Sequence, residues 1–198
     1  MGTEEIVLKM TKAKGVLRPS DLEAKGLSRH ILYRMVAEGQ LTRIGRGLYS
    51  LPDRETCEHS DLATIAARTP DAVVCLISAL QFHGLTTQIV PHVQIAIEGT
   101  SRKPAMDYPP LEVFRFSGEA YSYGIEVHVV DRVEVKIYSP AKTTADLFKY
   151  RNKLGLDVAL EALKEVRTQH RATADELWQA LEACRMTNVA RPYLEAIS

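Results

Sequence analysis

The sequence predicts an α+β protein in two parts, a basic N-terminal segment 1–54 and a mixed α/β segment 55–198 with a small sheet and a C-terminal helical cluster. Three observations carry this. Helical periodicity punctuated by glycine fills the first forty residues and runs into a short basic hairpin. Four strand-like runs lie between residues 93 and 138, and helical patterns alone follow them. The composition, 45% hydrophobic and 25% charged, is that of a chain able to bury a core.

The stretch EEIVLKMTKAKGVLR reads as an amphipathic helix with Ile6, Val7 and Met10 on one face, closed near Gly15. In RPSDLEAKGLS, Pro19 suits a first helical position, and Ser20 and Asp21 favour the positive helix N-terminus. Gly26 suits a C-terminal cap, so a short helix over 19–25 is expected. Ser28 then caps a helix over 29–38 that Gly39 closes. Two helices joined by so short a turn match a helix-turn-helix. LTRIGRGLYSL follows as strands 41–44 and 48–51 around Gly45-Arg46-Gly47, whose glycines permit the positive φ of a tight hairpin. Three helices and a basic hairpin within about fifty residues give the order of a winged helix-turn-helix.

Beyond Pro52 the character changes. DLATIAART reads as a short helix capped by Ser60, and Leu76 to His83 as a buried helix. Strands are expected at 93–98, 111–116, 125–130 and 133–138, the last three alternating apolar and polar side chains. Ser139-Pro140 opens a helix through Tyr150, followed by helices near 156–168, 174–184 and 188–197. Cys57, Cys75 and Cys184 form no C-x-x-C pair and read as small buried hydrophobes, not disulfides or zinc ligands. No run approaches a membrane span, and the acidic start MGTEEIVLKM is unlike a secretory signal, so a cytoplasmic protein is expected.

The formal net charge is zero, yet its distribution is uneven. Residues 1–54 carry ten bases against six acids, residues 55–139 six against eleven, and residues 140–198 nine against eight. A basic head implies an anionic partner for that head. On the helix after Ser28, Leu32, Met35 and Val36 face inwards with Ile31 at the edge, which turns Arg29, His30, Tyr33 and Arg34 outwards. A recognition helix meets base edges with its N-terminal residues, and Arg grips guanine through two hydrogen bonds. Arg43 and Arg46 lie on the hairpin, where a wing meets backbone or minor groove. Lys25 and Lys14 are placed for phosphate contacts, which position without reading sequence. The alternative for any one of these is a solvated surface charge. Tyr49, in the strand leading back to the core, reads as a packing residue.

The stretch GVLRPSDLEAKGLSRHILYRMVAEGQLTRIGRGLYSLPD resembles the N-terminal domain of the AbiEi family of antitoxins. Gly15-Val16-Leu17, Asp21-Leu22, Gly26, Ser28-Arg29, Gly39 and Arg43-Ile44-Gly45-Arg46-Gly47-Leu48-Tyr49 carry the likeness. Ser78-Ala79-Leu80 with His83-Gly84-Leu85 is similar to the middle of that family. So is Tyr138-Ser139-Pro140-Ala141-Lys142-Thr143 with Asp146-Leu147 and Lys149-Tyr150-Arg151. The resemblance implies a type IV toxin–antitoxin system whose winged helix represses its own promoter by binding repeats in double-stranded DNA. It further implies a second domain that counteracts a neighbouring nucleotidyltransferase toxin without a stable direct complex. Cooperative self-association on DNA, through basic faces on both domains, is implied as well. Lys142, Lys149, Arg151 and Lys153 would supply the face on the second domain.

Chemistry in the second part has fewer handles. Lys142 and Asp146 are spaced as an i, i+4 pair worth a few tenths of a kcal/mol, on a helix that either docks on the sheet or meets a partner. The six histidines lack ligand spacing, and neither a phosphate loop nor a nucleophile elbow is present, so no catalytic residue, cofactor or metal is expected. Asp131 with Glu134-Val135-Lys136 is similar to the acids and lysine of restriction-type Mg²⁺ nucleases. The first acid there stands further upstream, so Glu119 or Glu126 would have to substitute. Two alternatives to an antitoxin autorepressor therefore stay open: a plain winged-helix regulator, and a winged helix fused to a nuclease-like domain.

Overall fold

The structure is a computed structural model describing residues 2–53 and 58–197. Cys57 and the boundary expected between residues 54 and 55 lie outside the described residues. The fold is α+β, and the chain forms two compact units. Unit 1 comprises residues 1–71 together with 104–109 and 128–135; unit 2 comprises the remainder.

Unit 1 begins with α1 (Thr3–Lys14), α2 (Pro19–Glu23) and α3 (His30–Ala37), followed by β1 (Thr42–Gly45), β2 (Leu48–Ser50) and, later, α4 (Ser60–Arg68). In α1, Glu4 and Glu5 occupy the first turn and Lys12 and Lys14 the last, complementing the helix dipole. Its inward face is Val7 and Thr11, with Ile6 and Met10 only half-buried beside them. Pro19 opens α2, and the Asp21 carboxylate reaches back to accept the Arg18 N–H at 2.8 Å. Leu32 and Met35 of α3 complete a core with Val7, Leu17, Leu22, Leu41 and Tyr49. Tyr49 exchanges two backbone hydrogen bonds with Leu17, so the β1–β2 hairpin gains a third strand-like partner that periodicity does not reveal.

Asp21 links α1 to α2. Lys14 Nζ lies 2.6 Å from its carboxylate. Burial alone would push this carboxyl up, but Lys14 and the Arg18 N–H outweigh it and hold it below its ordinary 3.8. A lowered folded-state pKa stabilises above the unfolded value and ceases to do so as pH falls through the folded one. Unit 1 is thus expected to lose protection in amide exchange as the pH drops below about 4, and Asp21→Asn to flatten that acid dependence.

A second, smaller cluster joins Val16 and Leu48 to Ala67 of α4, with Met106 and Val133 from the later segments against it. The Asp131-Arg132 pair has φ of 50° and 66°, the two positive angles a tight two-residue hairpin needs. Arg132 donates to the Lys12 carbonyl at 2.7 Å, capping the end of α1. Asp131 accepts from the Ser60 hydroxyl at 2.6 Å. Ser60 is therefore not the cap expected of it: His59 holds the N-cap position of α4 and the Ser60 hydroxyl is committed to the turn.

A five-stranded sheet follows, of which residues 128–130 and 133–135 belong to unit 1 and the rest to unit 2. Its strands are β3 (Val73–Val74), β4 (Val93–Glu98), β5 (Leu111–Phe116), β6 (Ile125–Val130) and β7 (Val133–Tyr138), in the order β5-β4-β3-β7-β6. β3 is antiparallel to β4 and parallel to β7, while β4 and β5 run parallel from Val93↔Leu111 to Glu98↔Phe116. The helices are α5 (Leu76–Phe82), α6 (Glu119–Ser122), α7 (Pro140–Lys149), α8 (Arg151–Leu154), α9 (Leu156–Thr168), α10 (Ala174–Cys184) and α11 (Thr187–Ile197). Gln94 of β4 caps α5 from across the sheet, its Oε1 accepting the Ile77 N–H at 2.8 Å.

The helix α7 is the pillar of this unit. It packs against α5, α9 and α10, and every residue from Pro140 to Phe148 is buried. Lys142 and Asp146 are both fully buried, with Nζ 2.6 Å from each carboxylate oxygen. The ammonium also lies 4.0 Å from the Tyr138 ring centre and 4.8 Å from that of Phe116. This corrects two expectations. The pair is no solvated helix contact worth a few tenths, and Lys142 belongs to no surface face. The alanines and threonines of α7 let neighbouring helices close over it, a consequence of packing that spacing along one helix cannot report.

Candidate nucleic-acid interface

The expected recognition residues do not share one state. Arg29 holds the N-cap of α3, with exposed His30 and Tyr33 (53% accessible) following on the outer face. The His30 and Tyr33 rings stand 6.2 Å apart, tilted by 55°. The helix starts one residue later than expected, and the Ser28 hydroxyl accepts the His30 N–H only at 3.4 Å. Tyr49 is buried as expected, and burial followed by the nearby Tyr33 phenol pushes its hydroxyl up. The Tyr33 phenol thus lies near that of the core tyrosine, while the residue itself is exposed.

Arg34 is engaged elsewhere. Its guanidinium pairs with Glu4 at 2.5 Å and approaches Glu38 at 3.8 Å, tying α3 to α1. Lys14 is likewise taken by Asp21. Both cations are locally neutralised, which removes much of their pull on a phosphate. Lys25 stands exposed in the turn between α2 and α3.

On the hairpin, Arg43 pairs with Tyr49 across the strands, and its Nε donates to the Gly45 carbonyl at 3.2 Å. The connection is Arg46-Gly47 alone. Only Gly47 takes a positive φ, of 71°, so one of the two flanking glycines meets the conformational demand. Arg46 is exposed at the tip. Beside it lies a notch of about 100 Å³ that the hairpin shares with Arg68 at the end of α4 and with Met106 and Tyr108. The Arg68 guanidinium reaches the wing itself, its Nη1 lying 3.8 Å from where a Cβ on Gly47 would stand. Sequence reasoning missed Arg68. It lies beyond the hairpin, and the loop 104–109 that completes the notch is sixty residues away from the wing.

The basic residues expected on the second part also separate. Lys142 is buried, as described above. Lys149 is exposed with its Nζ 5.6 Å from the Phe116 ring centre. Lys153 pairs with Glu112 at 2.6 Å, and Arg151 turns inwards to the Phe148 carbonyl at 2.8 Å. These four do not form one basic face. As for the nuclease-like acids, Asp131 is held in its turn by Ser60, and Glu134 and Lys136 take the more exposed face of β7. Among the described residues, no group of three or more His, Cys, Asp or Glu side chains is arranged to hold a metal ion. The thiols of Cys75 and Cys184 are buried, and burial, reinforced by Asp146, pushes Cys184 up to about 12.

The chain is similar to known proteins in its N-terminal sequence and in its fold. Residues 11–52, which run from the end of α1 through the hairpin, match the family model described as transcriptional regulator, AbiEi antitoxin. A crystal structure of the RV2827C protein from Mycobacterium tuberculosis shares the fold with a TM-score of 0.64 at 14% identity, covering 97% of this chain and 76% of that one. No curated protein matches the chain. No helix among the described residues is long and apolar enough to cross a membrane.

Proposed function

Since residues 11–52 match the family model described as transcriptional regulator, AbiEi antitoxin, we propose that the protein is a cytoplasmic DNA-binding autorepressor and the antitoxin of a type IV toxin–antitoxin pair. The winged helix of residues 1–54 binds double-stranded DNA at the protein's own promoter, with Arg29, His30 and Tyr33 towards base edges. Arg46, with Lys25 and Arg43 as flanking contacts, meets the backbone. The rest of the chain counteracts a nucleotidyltransferase toxin encoded beside it, without a stable complex.

The observation carrying this reading is the exposed Arg29-His30-Tyr33 face at the start of α3 together with an exposed Arg46 at the wing tip. The N-terminal end of a helix, with a cationic and an aromatic side chain free of the core, is the geometry that enters a major groove. In duplex binding measured by fluorescence anisotropy, Arg46→Ala is expected to weaken all sequences alike, about tenfold. Arg29→Ala is expected to cost a similar amount on the promoter and also to reduce the preference for promoter over scrambled DNA. Wild-type behaviour of both variants at equal salt would rule out this surface. The antitoxin half is tested by coexpression: the chain should restore growth to cells expressing its nucleotidyltransferase neighbour, and unrelieved toxicity would exclude it.

A further inference from the structure

Two arginines, Arg46 and Arg68, line one notch beside the wing, and among the described residues neither takes part in an ion pair. Among the described residues of unit 1, Lys14 and Arg18 pair with Asp21, and Arg34 pairs with Glu4 and Glu38. Neither Arg46 nor Arg68 has such an ion pair among the described residues, although both line the same cavity of about 100 Å³. Like charges brought together repel, and an anion between them relieves the cost. The floor of the notch is apolar, formed by Leu48 and Met106, and lowers the local dielectric. Tyr108, 64% accessible, stands at its rim. Gly47 keeps the approach low, since no side chain rises between Arg68 and the hairpin backbone.

We propose that this notch seats a backbone phosphate of the bound duplex, so that Arg68 of α4 is a DNA-contacting residue outside the winged helix proper. The inference rests on the DNA-binding reading above. Arg46 grips the phosphate from the tip of the wing and Arg68 from behind it, in the bidentate manner that guanidinium suits. Asp107 also borders the notch and offsets part of its charge, which limits it to a single phosphate.

The test is the salt dependence of duplex binding by the full chain. Each neutralised phosphate adds about 0.9 to the slope of log affinity against log salt. Arg68→Ala is expected to lower that slope by about one and to weaken promoter and scrambled duplexes equally, about five- to tenfold. Arg68→Glu should weaken both further. Because Arg68 is exposed at the end of its helix, both variants should melt with the wild type. If both keep the wild-type slope and affinity while Arg46→Ala reduces them, the notch holds no phosphate. If the wild type binds no duplex at all, the DNA-binding reading fails first.

Discussion

Asp146→Ala is expected to destabilise the protein by about 3–5 kcal/mol, because it leaves the Lys142 ammonium buried without its counter-ion. Both groups are wholly removed from water. The carboxylate accepts from Lys142 through both oxygens and from the Cys184 thiol at 3.3 Å. Among the described residues the Tyr138 and Phe116 rings would remain to the ammonium, and a cation–π contact recovers about 2 kcal/mol when desolvated. The double variant Lys142→Met/Asp146→Leu removes both charges and is expected to be as stable as wild type or more so. The chain has a single tryptophan, Trp178, on α10, which packs against α7. Its fluorescence in a urea titration reads the midpoint shift of unit 2 directly. A loss below about 1 kcal/mol for Asp146→Ala would mean that the pair is solvated and α7 less enclosed than described.

Gly15→Ala is expected to cost about 2–4 kcal/mol in unit 1. Gly15 ends α1 at φ 72°, a conformation that costs an L-residue about 1–2 kcal/mol. A Cβ there would also collide with the Asp131 carbonyl oxygen, so the 131–132 turn must move. That displacement breaks the Arg132 bond to the Lys12 carbonyl and the Asp131 bond to Ser60. Amide exchange across α1 and at Leu17 should accelerate, while Trp178 in unit 2 reports an unchanged transition. Unaltered exchange at these amides would show that the turn is not pressed against Gly15.

The contrast between these sites explains what the sequence could disclose. Local signals sufficed where the determinant was local. Leu32 and Met35 face inwards as their spacing demands, Gly39 follows the end of α3 as expected, and the four expected strands stand at their expected bounds, the last three where alternation placed them. The two-residue strand β3 escaped because it is embedded in an apolar run that continues into a buried helix, where periodicity has no contrast to display. The Leu17–Tyr49 bridge escaped because a single pair of backbone bonds leaves no side-chain pattern. Lys142 was misplaced because its burial is decided by α5, α9 and α10 closing around α7, far along the chain.

The candidate DNA face divides in the same way. That Arg29, His30, Tyr33 and Arg46 point outwards was legible from helix phase and hairpin position. That Lys14 and Arg34 are spent on Asp21 and Glu4 was not, since each partner lies on another helix. Arg68 is the extreme case, meaningful only beside a wing from which twenty residues of chain separate it.

One titration decides whether unit 1 reads duplex DNA at the protein's own promoter. The full chain is bound to a duplex from the region upstream of its own gene and to a scrambled duplex of equal length, across a series of salt concentrations. A promoter preference of about a thousandfold or more is expected, with log affinity falling linearly as log salt rises on both duplexes. Equal affinity for the two duplexes, or binding that ignores salt, would contradict it.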